Sequence, residues 1–259
     1  MSTSSVRKSI MVNAAQEIAF RVFTSQMTAW WPAEHHIGKS PLKEIVLEPR
    51  VGGRWAERCA DGSECDWGRV LAWEPPGRVV LAWQLDADFA YDPNLETEVE
   101  IRFVAESPKR TRVELEHRNL ERFGARQDEL RAAFDSDGGW ALGLSRYARA
   151  ATNAGKRGFL LRLIPPRPTF AADMNDDERR AMQEHVAYWT EQLGTGAAIA
   201  FGPVADPKGG WGVAIAFAED DAAIRKMTDD DPVVRHRIGA RYEILPMPSV
   251  VTREGRIPT

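Results

Sequence analysis

Residues 96–117 read ETEVEIRFVAESPKRTRVELEH, and the period of this stretch decides the class of fold. Thr97, Val99, Ile101 and Phe103 alternate with Glu96, Glu98, Glu100 and Arg102, the pattern of a strand with one buried and one wetted face. Beyond the turn at Ser107-Pro108-Lys109 the division repeats, with Val113, Leu115 and His117 inward and Arg112, Glu114 and Glu116 outward. Strands joined by so short a turn pair antiparallel.

The same period extends back to about Lys43, with breaks at Gly52-Gly53, Asp61-Gly62, Pro75-Pro76-Gly77 and Asp92-Pro93-Asn94. Five or six short strands fit between the breaks, too close together for crossover helices. Upstream, a strand over Arg7–Val12 leads to Asn13, an expected N-cap for a helix carrying Ile18, Val22 and Phe23. Trp30-Trp31-Pro32 ends that element. Downstream, Gly138-Gly139 interrupts helical sequence, and Trp140, Leu144, Tyr147 and Ala151 then form an apolar stripe. The solution predicted is a curved antiparallel sheet gripping a C-terminal helix over residues 6–152.

Residues 153–158 are polar and contain glycine, as a linker does. The chain then reads as strand (Phe159–Ile164), helix (Asp176–Leu193), two strands (Ala197–Val204 and Gly210–Ala218), helix (Glu219–Thr228) and strand (Ala240–Pro246). This βαββαβ order predicts a ferredoxin-like sandwich over residues 159–248, with a tail at 249–259. Trp211, Val213, Ile215 and Phe217 are expected to face a helix stripe of Met182, Val186, Trp189 and Leu193. The fold class is α+β throughout.

The 259 residues correspond to about 1.7 domains of ordinary size, in accord with this division. Apolar residues are 43% and charged residues 28%, the balance of a globular chain. No apolar run approaches ~18 residues, which excludes a helical membrane span. MSTSSVRKSI lacks the apolar stretch of a signal peptide, so the expected location is cytoplasmic. Net charge is 34 − 38 = −4 with no basic block, which argues against nucleic acid as a partner. Cys59 and Cys65 flank Asp61-Gly62 without metal-site spacing, and are read as reduced strand residues. His35-His36 lack a spaced third ligand, so neither a metal nor a cofactor is expected.

Seven of the nine tryptophans (Trp30, Trp31, Trp55, Trp67, Trp73, Trp83 and Trp140) fall in the first half. Trp55, Trp83, Phe103, Trp140 and Tyr147 are candidates to line a cavity there. Glu57 and His117 project to the same interior and could orient a ligand. For His117 a core histidine bonded to a backbone carbonyl is the competing reading. In the second half, His185 lies at the edge of the helix stripe, and Asp231 precedes a helix-stopping Pro232. If the two meet, the carboxylate fixes the imidazole tautomer, as in an acid–base pair. Arg162 and Arg167 flank the exit of the first strand and could hold an anionic group, or be surface arginines. The Gly202-Pro203-Val204 and Gly209-Gly210 turn leads into a strand, unlike a phosphate-binding loop.

The first half resembles the bacterial activator-of-heat-shock-protein-ATPase-like branch of the START/SRPBCC superfamily. The matching residues include Trp30-Trp31-Pro32, Glu48-Pro49, Gly52-Gly53, Trp67-Gly68-Arg69-Val70, Trp73-Glu74-Pro75-Pro76, Trp83, Thr111, His117 and Gly139-Trp140. This resemblance implies a helix-grip fold with an internal apolar cavity for lipids, polyketides or other hydrophobic molecules. It does not imply co-chaperone activity, which in eukaryotic members depends on a separate N-terminal domain for which no room is expected here. The second half resembles the YCII-related family through Phe159–Arg162, Arg167-Pro168-Thr169-Phe170, His185, Tyr188, Gly202-Pro203-Val204, Asp206-Pro207, Gly210, Asp231-Pro232 and Tyr242. That resemblance implies a ferredoxin-like, often dimeric α+β-barrel-type domain, with His185 and Asp231 as its proposed active-site pair.

Three functions follow as expectations. The first is binding of a small hydrophobic or aromatic molecule in the helix-grip cavity, with His–Asp chemistry of lyase, isomerase or hydrolase type in the second domain. The second is a non-catalytic ligand sensor forming a homodimer through the YCII-like domain. The third, ranked last, is activation of a chaperone ATPase.

Overall fold

In the computed structural model, which describes residues 5–252 and 255–257, the chain divides into two compact units at Thr152/Asn153. The first unit begins with β1 (Val6–Val12) and α1 (Gln16–Ser25). Six strands follow: β2 (Leu42–Leu47), β3 (Arg54–Cys59), β4 (Glu64–Glu74), β5 (Arg78–Trp83), β6 (Thr97–Ser107) and β7 (Arg110–Arg118). They make one sheet in the order β1-β7-β6-β5-β4-β3-β2, antiparallel at every pairing. The unit closes with α2 (Gln127–Asp135) and α3 (Leu142–Asn153).

The alternation in β6 and β7 sets the concave face. Thr97, Val99, Ile101, Phe103, Val113, Leu115 and His117 are all buried on it. Trp140, Leu144, Tyr147 and Ala151 cover it from the helical side, and the Tyr147 hydroxyl donates to Ala19 O of α1 at 2.9 Å. A π-turn over Asp137–Ala141 carries Trp140 ahead of α3, with non-helical geometry at Gly139. The gripped helix is therefore shorter than the stripe suggests. Glu100 differs from its expected wetted position: it is 4% exposed, because Arg78, Arg102 and Arg118 converge on it. Asn13 is not an N-cap. The cap of α1 is Ala15, without a side-chain bond, and the Asn13 backbone N–H instead meets Thr152 Oγ1 at 3.3 Å.

Only residues 154–156 separate α3 from β8 (Arg157–Ile164). The second unit continues with α4 (Phe170–Asp173), α5 (Asp176–Gly194), β9 (Ala198–Val204) and β10 (Trp211–Ala218). It ends with α6 (Asp221–Asp229), α7 (Pro232–Arg235) and β11 (Arg241–Met247), ahead of the short strands β12 (Val250–Thr252) and β13 (Gly255–Ile257). Sheet order β11-β8-β10-β9, antiparallel throughout, is the ferredoxin-like arrangement. Asn175 starts α5 with a capping box, its side chain accepting from Glu178 N and the Glu178 carboxylate accepting from Asn175 N.

The helix-covered face of this sheet is the reverse of the expected one. Ala214, Ala216 and Ala218 lie in the core with Phe159, Leu161, Trp189 and Ile224. Trp211, Val213 and Ile215 are half-buried on the other side. The buried stripe of α5 is correspondingly Glu178, Ala181, His185 and Trp189, while Val186 and Leu193 are exposed. Small alanines on the sheet leave room for the large indole and imidazole of the helix, which explains the inversion. No helix among the described residues is long and apolar enough to cross a membrane.

Candidate functional site

In the second unit, α5 and the start of α7 bring His185 and Asp231 together. Asp231 caps α7, its Oδ1 accepting from Val233 N at 3.0 Å. The Pro232 that follows holds Asp231 in an extended conformation, so its carboxylate turns back toward α5. His185 Nδ1 lies 2.8 Å from Oδ2 and 3.0 Å from Oδ1. Trp189 Nε1 donates to Oδ2 at 2.8 Å, and the Tyr242 hydroxyl donates to the same oxygen at 2.5 Å. Asp231 is fully buried. Burial pushes its carboxyl upward, but hydrogen bonds from His185, Tyr242 and Trp189 prevail and hold it below the usual carboxylate range.

An ionised carboxylate only accepts, so it places the imidazole proton on Nδ1. In the neutral ring Nε2 then carries the lone pair. His185 also lines a cavity of about 550 Å³, with Leu163, Met182, Trp189, Phe201 and Tyr242 among its walls. Burial and the adjacent Asp231 push the Tyr242 phenol upward, so it remains a hydrogen-bond donor. A base fixed by a buried carboxylate at the wall of an apolar cavity can take a proton from a bound molecule.

The first unit holds a cavity of about 600 Å³ on the concave side of its sheet. Trp31, Trp67, Trp83, Trp140 and Phe134 form its aromatic wall, and His35 and His36 contribute polar rings. The rings meet edge to face: Trp83 and Trp140 centroids are 5.8 Å apart, and those of Trp31 and Trp140 are 6.0 Å apart. Such pairs add about 0.5–1.5 kcal/mol each beyond their burial. Behind the wall, His117 Nδ1 accepts from Trp140 Nε1 at 3.2 Å, and Nε2 lies 2.8 Å from Thr97 Oγ1. Burial pulls the His117 pKa from 6.5 down to about 3.

Glu57 is also behind the wall, and fully buried. Its Oε2 accepts from Ile37 N at 3.1 Å and Trp67 Nε1 at 3.2 Å, while Oε1 accepts from Gly38 N. This carboxyl group thus holds both a wall tryptophan and the loop that carries His36 and Ile37. Gly38 is required for the approach, because a Cβ there would sit 2.3 Å from Cys59 Sγ and 2.7 Å from Glu57 Oε1.

The family model described as "Activator of Hsp90 ATPase homolog 1-like protein" matches residues 13–147, more than half of the chain. The chain belongs to this family. A second model, "YCII-related domain", matches residues 159–248, so the chain carries the two domains in that order. No curated protein matches the sequence. Among solved structures, "An anthrahydroquino-Gama-pyrone synthase Txn09 complexed with SUM" is 39% identical, covering 56% of this chain and 94% of that one, with a TM-score of 0.42. The self-sacrificing resistance protein CalC from Micromonospora echinospora is 30% identical, covering 58% of this chain and 96% of that one, with a TM-score of 0.47.

Of the residues singled out from the sequence, Trp83 and Trp140 line the first cavity. Trp55, Glu57, Phe103, His117 and Tyr147 do not: their inward faces are consumed by packing and by bonds behind the wall. His117 is bonded to side chains, and not to a backbone carbonyl as one reading had it. Arg162 and Arg167 are not brought to the imidazole. Arg167 pairs with Glu178 at 2.6 Å and Asp173 at 2.8 Å. Arg162 lies on the opposite sheet face, 4.8 Å from the Trp211 ring centroid and 3.5 Å from Glu243. The sequence reading missed Trp31, Trp67 and Phe134 as cavity walls, and Trp189 and Tyr242 as partners of Asp231. Only Trp189 had a local signal, lying one helical turn after His185. Among the described residues, no group of three His, Cys, Asp or Glu side chains is placed to hold a metal ion.

Proposed function

We propose that this protein binds small hydrophobic or aromatic molecules and that His185 and Asp231 act as a general acid–base pair on a molecule held in the second unit. The observation that carries the reading is the His185 ring itself, pinned by a buried carboxylate and facing an apolar cavity of about 550 Å³. An aromatic-walled cavity of similar size in the first unit supports the same class of ligand. Acid–base chemistry on such a molecule is an elimination, an isomerisation or a hydrolysis. Thermal unfolding of the full chain against a panel of lipids and aromatic compounds is the test. Saturating binders raise the midpoint as RT ln(1 + [L]/Kd) requires, and no response across the panel refutes the reading.

A sensor-like homodimer is the second reading, favoured by the helix-free face of the second sheet. Leu160, Val213 and Ile215 are half-buried there, and Leu245 is 49% exposed. An apolar sheet face of this kind is suited to pairing with a second copy. Sedimentation equilibrium tests it: Leu245→Arg shifts a dimer toward monomer, whereas a wild-type monomer at every concentration refutes it.

A further inference from the structure

We infer that the cavity beside His185 selects an uncharged ring compound carrying one weakly acidic O–H, a phenol or an enol, over the corresponding carboxylate. This rests on the reading of that cavity as a binding site and adds the charge and functional group of what it takes.

Among the described residues lining the cavity, only His185 and Tyr242 are titratable. The Tyr242 hydroxyl is already given to Asp231, as is the Trp189 indole N–H. The guanidinium groups of Arg162 and Arg167 are engaged elsewhere. Arg167 is clamped between Glu178 and Asp173, and Arg162 stacks on Trp211 from the far face of the sheet. Among the described residues, a bound carboxylate therefore has no permanently charged lining cation to pair with, and it loses its hydration to walls of Leu163, Met182 and Phe201. It also faces the field of Asp231, a buried negative charge directly behind the imidazole.

An O–H group meets the opposite situation. With the ring proton held on Nδ1 by Asp231, Nε2 offers a lone pair to a donor. A phenol or enol donates to it and keeps its ring against the apolar wall. If the proton moves, it passes from the ligand oxygen to Nε2. The resulting imidazolium lies against Asp231, and the oxyanion keeps the electron pair of the broken O–H bond. No oxidant or co-reactant enters this step.

The experiment follows the His185 ring by NMR in the full chain with labelled histidine, the resonance being assigned from the spectrum of His185→Gln. A naphthol, the matching naphthoate and naphthalene are titrated in turn at about pH 7.5. The naphthol is expected to shift the His185 resonance saturably, with the naphthoate and naphthalene each at least about tenfold weaker. A naphthoate that binds as tightly as the naphthol overturns the charge selection, and naphthalene doing so overturns the role of the O–H. If none of the three moves the resonance, the cavity is not a binding site and both readings fall. Binding without selection therefore separates the failure of this inference from that of the reading beneath it.

Discussion

Trp140 donates its indole N–H to His117 Nδ1 at 3.2 Å, and this bond determines the protonation of a fully buried ring. An indole can only donate, so Nδ1 is bare and the proton lies on Nε2, toward Thr97 Oγ1. Burial holds the pKa near about 3, below its ordinary 6.5. The unfolded chain therefore binds the proton more readily than the folded one. Stability from this group is intact above about pH 6.5 and is lost as pH falls toward about 3, by about 1.4 kcal/mol per pH unit. Urea unfolding between about pH 6.5 and 4.5 is expected to show this slope, reduced by about that amount in His117→Gln. Parallel slopes for the two proteins would contradict it.

Glu57 presents both carboxyl oxygens to donors: Ile37 N and Trp67 Nε1 on one, Gly38 N on the other. Glutamine keeps one acceptor oxygen and sets an N–H₂ against the remaining donors. Glu57→Gln is therefore expected to lower stability by about 1–3 kcal/mol in urea unfolding, with the m-value unchanged. Because the same group holds Trp67 and the loop at His36, the variant should also weaken ligand binding in the first cavity.

Gly38→Ala tests the same contact from the other side. Its Cβ would fall 2.3 Å from Cys59 Sγ, inside the strand core, and 2.7 Å from Glu57 Oε1. A thermal midpoint lowered by the equivalent of about 1–3 kcal/mol is expected, and an unchanged midpoint would show that the loop is not packed as described.

Asp231→Ala removes the cap of α7 and leaves the N–H of Trp189, the hydroxyl of Tyr242 and Nδ1 of His185 without their buried partner. The expected loss is about 3–5 kcal/mol by urea unfolding. Asp231→Asn, which retains the cap oxygen, should lose less. Equal losses would show that the cap contributes nothing and that the carboxylate's bonds to His185, Trp189 and Tyr242 carry the whole effect.

How much of this was legible in the sequence depended on whether one face of an element differed from the other. In β6 and β7 carboxylates alternate with aliphatic residues, so register and inward face could be read residue by residue. In β10 both faces are apolar, and Trp211, Val213 and Ile215 outweigh the alanines between them in any hydropathy reading. The helix nevertheless packs on Ala214 and Ala216, because shape decides where hydropathy does not. His185 and Asp231 lie 46 residues apart, and their meeting depends on the βαββαβ topology. Tyr242 reaches them only because the last strand of that topology pairs with the first. Trp67 stands at a bulge between β3 and β4, and Trp31 lies outside any regular element, so period carried no sign of either.

Both the aromatic-walled cavity of the first unit and the apolar cavity beside His185 are expected to hold small hydrophobic or aromatic molecules. A crystal structure of the full chain with the most stabilising compound of the thermal panel tests it most directly. The ring of that compound is expected against Trp31, Trp83 and Trp140, or beside His185 with its polar atom near Nε2. A compound bound on the outer surface, with both cavities closed to it, would rule out ligand binding in either.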